Sequence, residues 1–191
     1  GVIASSIAMD KEISKKIFQK NKIRTPKFFT YSYDETTINI IKKIDKKLRF
    51  PVVVKPLNEG SSVNVYITNK KNLSKILNKL KSYKKVLIEQ FIGGREIQVA
   101  IMGNKKLGAI ELIPKRKFYD YRAKYDSNAK TQHVIPVDLS LSKLNQLMNI
   151  AYKAHKIIGC KGVTRSDFKF YKGNFYLLEI NTQPGMTKLS L

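Results

Sequence analysis

Apolar residues recur at intervals of three or four along several stretches of the chain, which is the spacing of one helix face. In the first stretch Ile13, Ile17 and Phe18 form the apolar edge, and Asp10 stands before them as a candidate N-cap. The longest stretch places His155 within its apolar stripe, where a structural role is expected. The spacing predicts helices over residues 10–22, 34–49, 70–83 and 141–158.

Runs of β-branched and aromatic residues between these helices predict strands. The first seven are KFFTYSY (27–33), PVVVKP (51–56), VNVYI (63–67), VLIEQFI (86–92), EIQVAIM (96–102), LGAIELI (107–113) and HVIPV (133–137). Two further runs, GVTRSDFKF and NFYLLEIN, flank the turn Lys172-Gly173-Asn174 and predict a β-hairpin. Residues 115–130 are aromatic and basic without a clear period, which predicts a long loop.

The order of these elements predicts an α+β (mixed α/β) fold. Helices and strands alternate in the first half, whereas strands surround one long helix in the second. The Gly93-Gly94 pair is a turn or hinge signal. We therefore expect two small α+β subdomains, residues 1–92 and 93–191.

Composition restricts the class of protein. A hydrophobic fraction of 42% over 191 residues supports a real core. Cys160 is the single cysteine, which excludes an internal disulfide and a cysteine-based zinc site. No run of 18 apolar residues is present, so no membrane span is expected. The opening GVIASSIAMDKEISKK has no basic flank before its apolar stretch, so we expect no signal peptide and a cytoplasmic location.

The net charge of +23 is typical of nucleic-acid-binding proteins. Only six of the 37 basic residues are arginines, however, and arginine is the residue that reads phosphates and bases bidentately. The lysines are also spread along predicted helix faces instead of forming one stripe. A general lysine excess with no nucleic-acid partner is the preferred interpretation, and a basic nucleic-acid-binding module remains the alternative from another class.

A lysine at the end of a buried-type strand is the first candidate for chemistry. Lys55 is the last residue but one of the run PVVVKP, and Gly60, Ser61 and Ser62 follow within a polar loop. A small-residue loop lets backbone N–H groups approach phosphate oxygens, and a nearby ammonium adds positive charge. The pattern predicts a phosphate-binding loop, and an ordinary polar hairpin loop is the alternative.

Polar residues on the last predicted hairpin are the second candidate. Glu179 and Asn181 are two apart and share a strand face, and Asp167 and Arg165 lie on the partner strand. Two carboxylates and an amide oxygen form an oxygen-rich set suited to magnesium, and Arg165 would hold an oxyanion beside it. A solvated charged face is the alternative. Pro184-Gly185 then forces a turn near this site.

Six segments follow one another in the order found in a known family. They are GVIASSIAMDK, VVVKPLNEGSSV, VLIEQFIGGRE, FYDYRAKY, GCKGVTRSDF and LLEINTQPGMTKLSL. Together they resemble the D-alanine–D-alanine ligase family of the ATP-grasp superfamily. The resemblance implies an ATP-grasp fold with the nucleotide site between its subdomains, residues 1–92 carrying the phosphate loop and residues 93–191 the magnesium site. It also implies ATP-dependent formation of D-alanyl-D-alanine through an acylphosphate, for peptidoglycan synthesis.

The resemblance further implies two magnesium ions, with manganese as a substitute, D-alanine as substrate and a homodimer at full length. It implies that the ATP is held by Lys11, Lys55, Gly60, Ser61, Ser62, Glu89, Gln90, Phe91, Ile92, Glu96 and Lys124. The implied magnesium ligands are Asp167, Glu179 and Asn181. The implied catalytic residues are Arg165, Lys124, Tyr125, Ser61 and Gly185, and the implied substrate contacts are Lys124, Arg165, Gly185, Ser190 and Leu191.

The sequence also departs from the family pattern. Asn64 stands where the family has glycine, and asparagine tolerates a left-handed backbone better than most residues. Members of the family carry a preceding domain for the first D-alanine and a closing helix, so we expect this chain to be a fragment. That the fragment alone is inactive and only binds nucleotide is a further alternative. Another ATP-grasp carboxylate–amine ligase is the alternative within enzymes.

Overall fold

The computed structural model describes residues 1–113 and 131–185 as helices, strands and defined loops. The predicted long loop and the last six residues lie outside the described residues. In chain order the elements are α1 (Val2–Met9), α2 (Lys11–Lys20), β1 (Phe28–Tyr31), α3 (Thr37–Lys47), β2 (Val52–Pro56), β3 (Tyr66–Thr68), α4 (Leu73–Lys79), a 3₁₀ turn (Lys81–Tyr83), β4 (Val86–Gln90), β5 (Arg95–Met102), β6 (Lys105–Ile113), β7 (Gln132–Val134), α5 (Leu141–Ile158), β8 (Val163–Tyr171) and β9 (Asn174–Asn181).

The chain divides into two compact units. The smaller unit is Pro26–Ile92, and the larger unit combines Gly1–Thr25 with Gly93–Leu191. The division after residue 92 agrees with the seam expected at Gly93-Gly94, but the first 25 residues belong with the second half of the chain instead of the first. The reason is packing, because Ala4, Ala8 and Phe18 are buried in the core of the larger unit.

A four-stranded antiparallel sheet, in the order β1-β4-β2-β3, forms the smaller unit. Helices α3 and α4 supply apolar side chains to its core. Helix α3 is capped by Thr36, whose side chain accepts a hydrogen bond from the backbone N–H of Asn39. Buried core residues from these helices and strands include Ile40, Ile44, Val52, Val54, Leu73, Leu77, Val86 and Ile88.

The larger unit is built on a five-stranded antiparallel sheet in the order β7-β6-β5-β8-β9. Apolar residues of α1, α2 and α5 pack against one face of the sheet. The core residues that the strands contribute are Ile97, Val99, Ile101, Phe168, Phe175, Leu177 and Ile180. Alternation along each strand places a second set of residues, rich in charge, on the other face.

Gly94 has a backbone conformation that suits only glycine. Its φ is +84°, and a Cβ at this position would lie 2.3 Å from the carbonyl oxygen of Phe170. The glycine therefore permits the close approach of β5 to β8. The predicted turn signal at this point is explained by steric exclusion of a side chain.

The predicted elements agree with the structure apart from their ends and three local differences. The helix predicted over 70–83 is α4 followed by the separate 3₁₀ turn Lys81–Tyr83. Helix α1 was not predicted, because VIASSIAM is apolar or small nearly throughout and shows no helical periodicity. The predicted strand over 63–67 begins instead at Tyr66, since the preceding residues form turns. Within residues 1–113 and 131–185, no helix combines the length and apolar character needed to cross a bilayer.

His155 is buried in the core of the larger unit, as the helical stripe predicted. Its Nδ1 lies 2.8 Å from the hydroxyl of Thr164, and within the described residues its Nε2 has no hydrogen-bond partner. Burial, and then the positive charge of Lys156, lower its pKa below the ordinary value of 6.5. The imidazole is therefore neutral in the folded state under neutral conditions.

This lowered pKa predicts a pH-dependent stability. Below pH 6.5 the unfolded chain binds a proton at His155 that the folded chain does not yet bind, so the free energy of unfolding should fall as the pH falls. Urea denaturation at a series of pH values measures this slope. His155→Gln should remove that part of the slope, whereas His133→Gln, at an exposed histidine, should keep it. An unchanged slope in His155→Gln would contradict the prediction.

Candidate functional site

The β8–β9 hairpin places four polar residues in two cross-strand pairs. Asp167 lies directly opposite Glu179, and Arg165 lies directly opposite Asn181. Directly opposed residues of antiparallel strands project from the same face of the sheet. The sequence prediction that these four side chains share a face is therefore confirmed.

A β-bulge sets this arrangement. The register shifts between Asp167 and Phe168, so that Phe168 faces Leu177 and Leu178 is the extra residue on β9. Without the extra residue Asp167 would lie opposite Leu178, and Glu179 would point to the core face. The bulge turns Glu179 to the polar face and brings Ile180 to the core face.

Asp167 is buried and held by hydrogen bonds from Arg165. It is 4% exposed, and Arg165 donates to both of its oxygens, from Nε to Oδ1 at 2.8 Å and from a terminal nitrogen to Oδ2 at 3.1 Å. The amide nitrogen of Asn181 is 3.5 Å from Oδ2. A bidentate pair of this kind fixes the orientation of both side chains.

Lys11 brings a positive charge to the same group. Asp10 caps α2 by accepting hydrogen bonds from the backbone N–H groups of Glu12 and Ile13, so Lys11 is the first residue of the helix. Its ammonium is buried and lies 3.6 Å from the Glu179 carboxylate. The structure thus joins Lys11 to residues from the other end of the chain.

The donor set fits a hard divalent cation. Asp167, Glu179 and Asn181 offer carboxylate and amide oxygens only, which are the ligands that magnesium prefers. Among the described residues no cluster of three or more His, Cys, Asp and Glu has the arrangement of a metal site. The trio contains two such residues and one amide, so a cation here would keep part of its coordination from water or phosphate.

Glu96 lies one row further along the polar face. It is opposite Lys169 on β8, and the Lys169 ammonium is 3.0 Å from its carboxylate. Glu96 belongs to the residues that the sequence predicted to bind nucleotide. Lys169 was not among them, although its period-two spacing from Asp167 and Arg165 places all three on one face.

Gln98 is a second residue that the sequence reasoning missed. It lies on β5 directly opposite Asp167 and is 2% exposed. The alternating segment EIQVAIM carries the signal, since Glu96 and Gln98 are its two polar residues and share one face. A polar side chain buried in the middle of an apolar strand requires an explanation.

The smaller unit holds the buried ion pair of Lys55 and Glu89. The ammonium of Lys55 lies 2.5 Å from Oε1 of Glu89, and the two residues are 6% and 3% exposed. Both point to the sheet face opposite the core, because their neighbours Val54 and Ile88 are core residues. Burying two charges is costly, so such a pair is a candidate for function more than for stability.

The loop after β2 contains several residues with a left-handed backbone. Ser61, Ser62 and Asn64 have φ values of 50°, 60° and 55°. Asn64 therefore adopts the left-handed backbone that asparagine tolerates better than most residues. Its side-chain amide donates a hydrogen bond to the hydroxyl of Tyr83 at 2.8 Å. A Cβ at Gly60 would meet no atom within 4 Å, so close contact inside the chain does not explain this glycine.

The other residues predicted to bind ATP or substrate lie at the end of β4, in the segment after it and near the end of the chain. Glu89 and Gln90 end β4, and the backbone N–H of Gln90 donates to the carbonyl of Lys27 at 2.8 Å. Phe91 and Ile92 complete the smaller unit, and Ile92 is buried. Gly185 is exposed at the end of the described residues. Lys124, Tyr125, Ser190 and Leu191 lie outside the described residues.

Comparison with known proteins gives concordant matches. Residues 17–191 match the family model described as the D-ala D-ala ligase C-terminus. The whole chain aligns with a D-alanine–D-alanine ligase of Pelagibacter ubique at 72% identity, and the alignment covers 63% of that protein. It aligns with the corresponding ligase of Wolbachia pipientis wMel at 38% identity, over 60% of that protein. The chain thus spans about three fifths of the length of these relatives.

Solved structures give the same answer. The whole chain superposes on 62% of the D-alanine–D-alanine ligase of Bacillus anthracis with a TM-score of 0.85 and 34% identity. For a structure of the Bacillus anthracis enzyme complexed with ATP, the TM-score is 0.82 at 28% identity, over 60% of that chain. These neighbours have the ATP-grasp fold, which confirms the predicted fold class.

Proposed function

Because the chain belongs to the family of D-alanine–D-alanine ligase C-terminal domains, we propose that it provides the ATP- and magnesium-binding part of a D-alanine–D-alanine ligase. In this reaction ATP phosphorylates the carboxylate of one D-alanine, and the amine of a second attacks the acylphosphate. The protein would act in the cytoplasm in the synthesis of a peptidoglycan precursor. At its natural length it would form a homodimer.

The observation that carries the proposal is the polar group on the β8–β9 hairpin. Two opposed carboxylates, a neighbouring amide and an arginine lie on one face, and a buried lysine from α2 lies beside them. Such a group matches the needs of phosphoryl transfer, in which charge on the transferring phosphate must be neutralised and its oxygens positioned. A merely solvated face would not bury Asp167 to 4% exposure.

Within this group Asp167, Glu179 and Asn181 would hold two magnesium ions, with manganese as a substitute. When bound, the ions supply positive charge that stabilises the phosphate oxygens. Arg165 and the backbone of Gly185 would hold the oxyanion of the tetrahedral intermediate. Arg165 already holds Asp167 in a fixed position, so one side chain would serve both the metal ligand and the reacting group.

The nucleotide roles follow the same logic. Lys11 and Lys55 would bind the ATP phosphates as point charges, and the left-handed turns around Ser61 and Ser62 would offer backbone N–H groups to phosphate oxygens. Ser61 would also orient the reacting groups. Glu96 would accept hydrogen bonds from the ribose hydroxyls. The adenine contacts proposed are Glu89, Gln90, Phe91 and Ile92.

The residues outside the described part complete the proposal. Lys124 and Tyr125 would close over the γ-phosphate, and Lys124 would also contact the second D-alanine. Ser190 and Leu191 would hold the carboxylate of that substrate.

The test is D-alanine-dependent phosphate release by the protein at its natural length, supplied with ATP and magnesium. We expect release to require D-alanine and to be unaffected by L-alanine, with D-alanyl-D-alanine detected by mass spectrometry. Nucleotide binding without stimulation by D-alanine would contradict the proposal. That result would favour another ATP-grasp carboxylate–amine ligase.

A further inference from the structure

Gln98, Asp167 and Glu179 form one row across three neighbouring strands. Gln98 on β5 lies opposite Asp167 on β8, which lies opposite Glu179 on β9. Opposed residues in such a row have Cβ atoms about 4.5–5.5 Å apart. The Gln98 side chain is therefore an immediate neighbour of Asp167, and Glu179 lies one strand further along the same row.

The carboxamide oxygen of Gln98 lacks a partner. Gln98 is 2% exposed, and within residues 1–113 and 131–185 its Oε1 accepts no hydrogen bond. The residue opposite it on β6 is Ile110, which has no side-chain donor. A buried acceptor without a partner is costly, and such groups in folded proteins are explained by function or by a missing water or ion.

Among the residues that the structure describes, Ser166 also has a buried oxygen without a partner, but it lies on the opposite face of the sheet from Gln98. The Oγ of Ser166 is also buried without a hydrogen-bond partner in the described part of the chain. Ser166 lies opposite Val99 and Ile180, so its side chain is on the apolar core face. Gln98 instead lies beside Asp167, where a hydrated cation would supply strong donors.

We propose that Gln98 is a further residue of the cation site, and that its Oε1 accepts a hydrogen bond from a water molecule bound to the divalent cation. Magnesium dehydrates reluctantly and keeps several waters, so the site needs acceptors for their hydrogens as well as direct ligands. A neutral amide oxygen accepts such a hydrogen bond and adds no charge to the carboxylates. This inference rests on the magnesium role proposed above.

Manganese is the probe for the test. The protein at its natural length is titrated with Mn²⁺ in the presence of a non-hydrolysable ATP analogue, and free Mn²⁺ is measured by electron paramagnetic resonance. Gln98→Met keeps the size of the side chain but removes the oxygen, so we expect Mn²⁺ affinity to fall about tenfold or more. Without metal, the same variant should melt at or above the wild-type temperature, because the buried oxygen without a partner is gone.

Two other variants keep the inference falsifiable if Gln98→Met folds poorly. Gln98→Glu retains a side-chain oxygen at the same distance from the backbone and should bind Mn²⁺ at least as tightly as the wild type. Its melting temperature should be lower than that of the wild type only when the metal is absent. Ser166→Ala removes the other buried oxygen without a partner, from the opposite face, and should leave Mn²⁺ affinity unchanged. Mn²⁺ affinity unchanged in Gln98→Met, or weakened in Gln98→Glu, overturns the role of Gln98.

Asp167→Asn separates this inference from the proposed function. If Asp167→Asn loses Mn²⁺ affinity while Gln98→Met does not, the metal site stands and the role of Gln98 fails. If Asp167→Asn binds Mn²⁺ like the wild type, the proposed metal site itself fails, and the inference about Gln98 fails with it.

Discussion

Glu179→Gln is expected to abolish magnesium-dependent ligation of D-alanine while leaving the fold intact. The substitution keeps the shape of the side chain but removes the charge that lies opposite Asp167 and 3.6 Å from the Lys11 ammonium. A bound metal contributes several kcal/mol of charge stabilisation, so loss of a ligand charge should reduce kcat by at least about a hundredfold. D-alanine-dependent phosphate release and circular dichroism are the two measurements.

Asp45→Asn is the matched control for this prediction. Asp45 is an exposed carboxylate that pairs with Lys70 at 3.0 Å, so its substitution also removes one negative charge without touching the hairpin. We expect turnover close to that of the wild type. Normal turnover in Glu179→Gln itself would remove Glu179 from the metal site.

Lys55→Ala is expected to weaken ATP binding much more than D-alanine binding. A charge-assisted hydrogen bond to phosphate contributes about 1.5–3 kcal/mol, so the dissociation constant for ATP should rise at least about tenfold. The same change removes the lysine from a buried pair with Glu89 and should lower the free energy of unfolding by about 3–5 kcal/mol. Calorimetric titration with ATP and urea denaturation measure the two effects.

A double variant separates binding from stability. Lys55→Met with Glu89→Gln replaces the charged pair by neutral side chains of similar volume, so much of the stability should return while ATP binding stays weak. Lys70→Ala, at an exposed lysine of the same unit, should change neither quantity. Equal weakening of ATP and D-alanine binding in Lys55→Ala would argue against a phosphate role.

The hairpin shows how far the sequence reasoning reached. Period-two spacing puts Glu179 and Asn181 on one face, and the turn at Lys172-Gly173 predicts the pairing of the two strands. Counting evenly from that turn would set Asp167 opposite Leu178 and turn Glu179 to the core. In a regular strand Ile180 would point to the face opposite Phe175 and Leu177. The extra residue at the β-bulge places all three side chains in the core and turns Glu179 to the polar face.

The start of the chain shows what the sequence reasoning missed. The division expected at residue 92 assigned all earlier residues to one subdomain, yet Ala4, Ala8 and Phe18 are core residues of the larger unit. Small and apolar residues in VIASSIAM have no period that indicates a partner. Their position depends on which surface is available for burial, and local sequence does not contain that information.

The sequence alone determined most element types, though not α1, as well as the mixed fold and the polar residues that interrupt apolar strands, because these follow from local periodicity and side-chain chemistry. The tertiary structure decided which of those residues meet. Lys11 reaches Glu179 because α2 packs on the sheet, and Gln98 neighbours Asp167 because β5 pairs with β8. Contacts of this kind join residues far apart in the chain, and only the burial of the shared core brings them together.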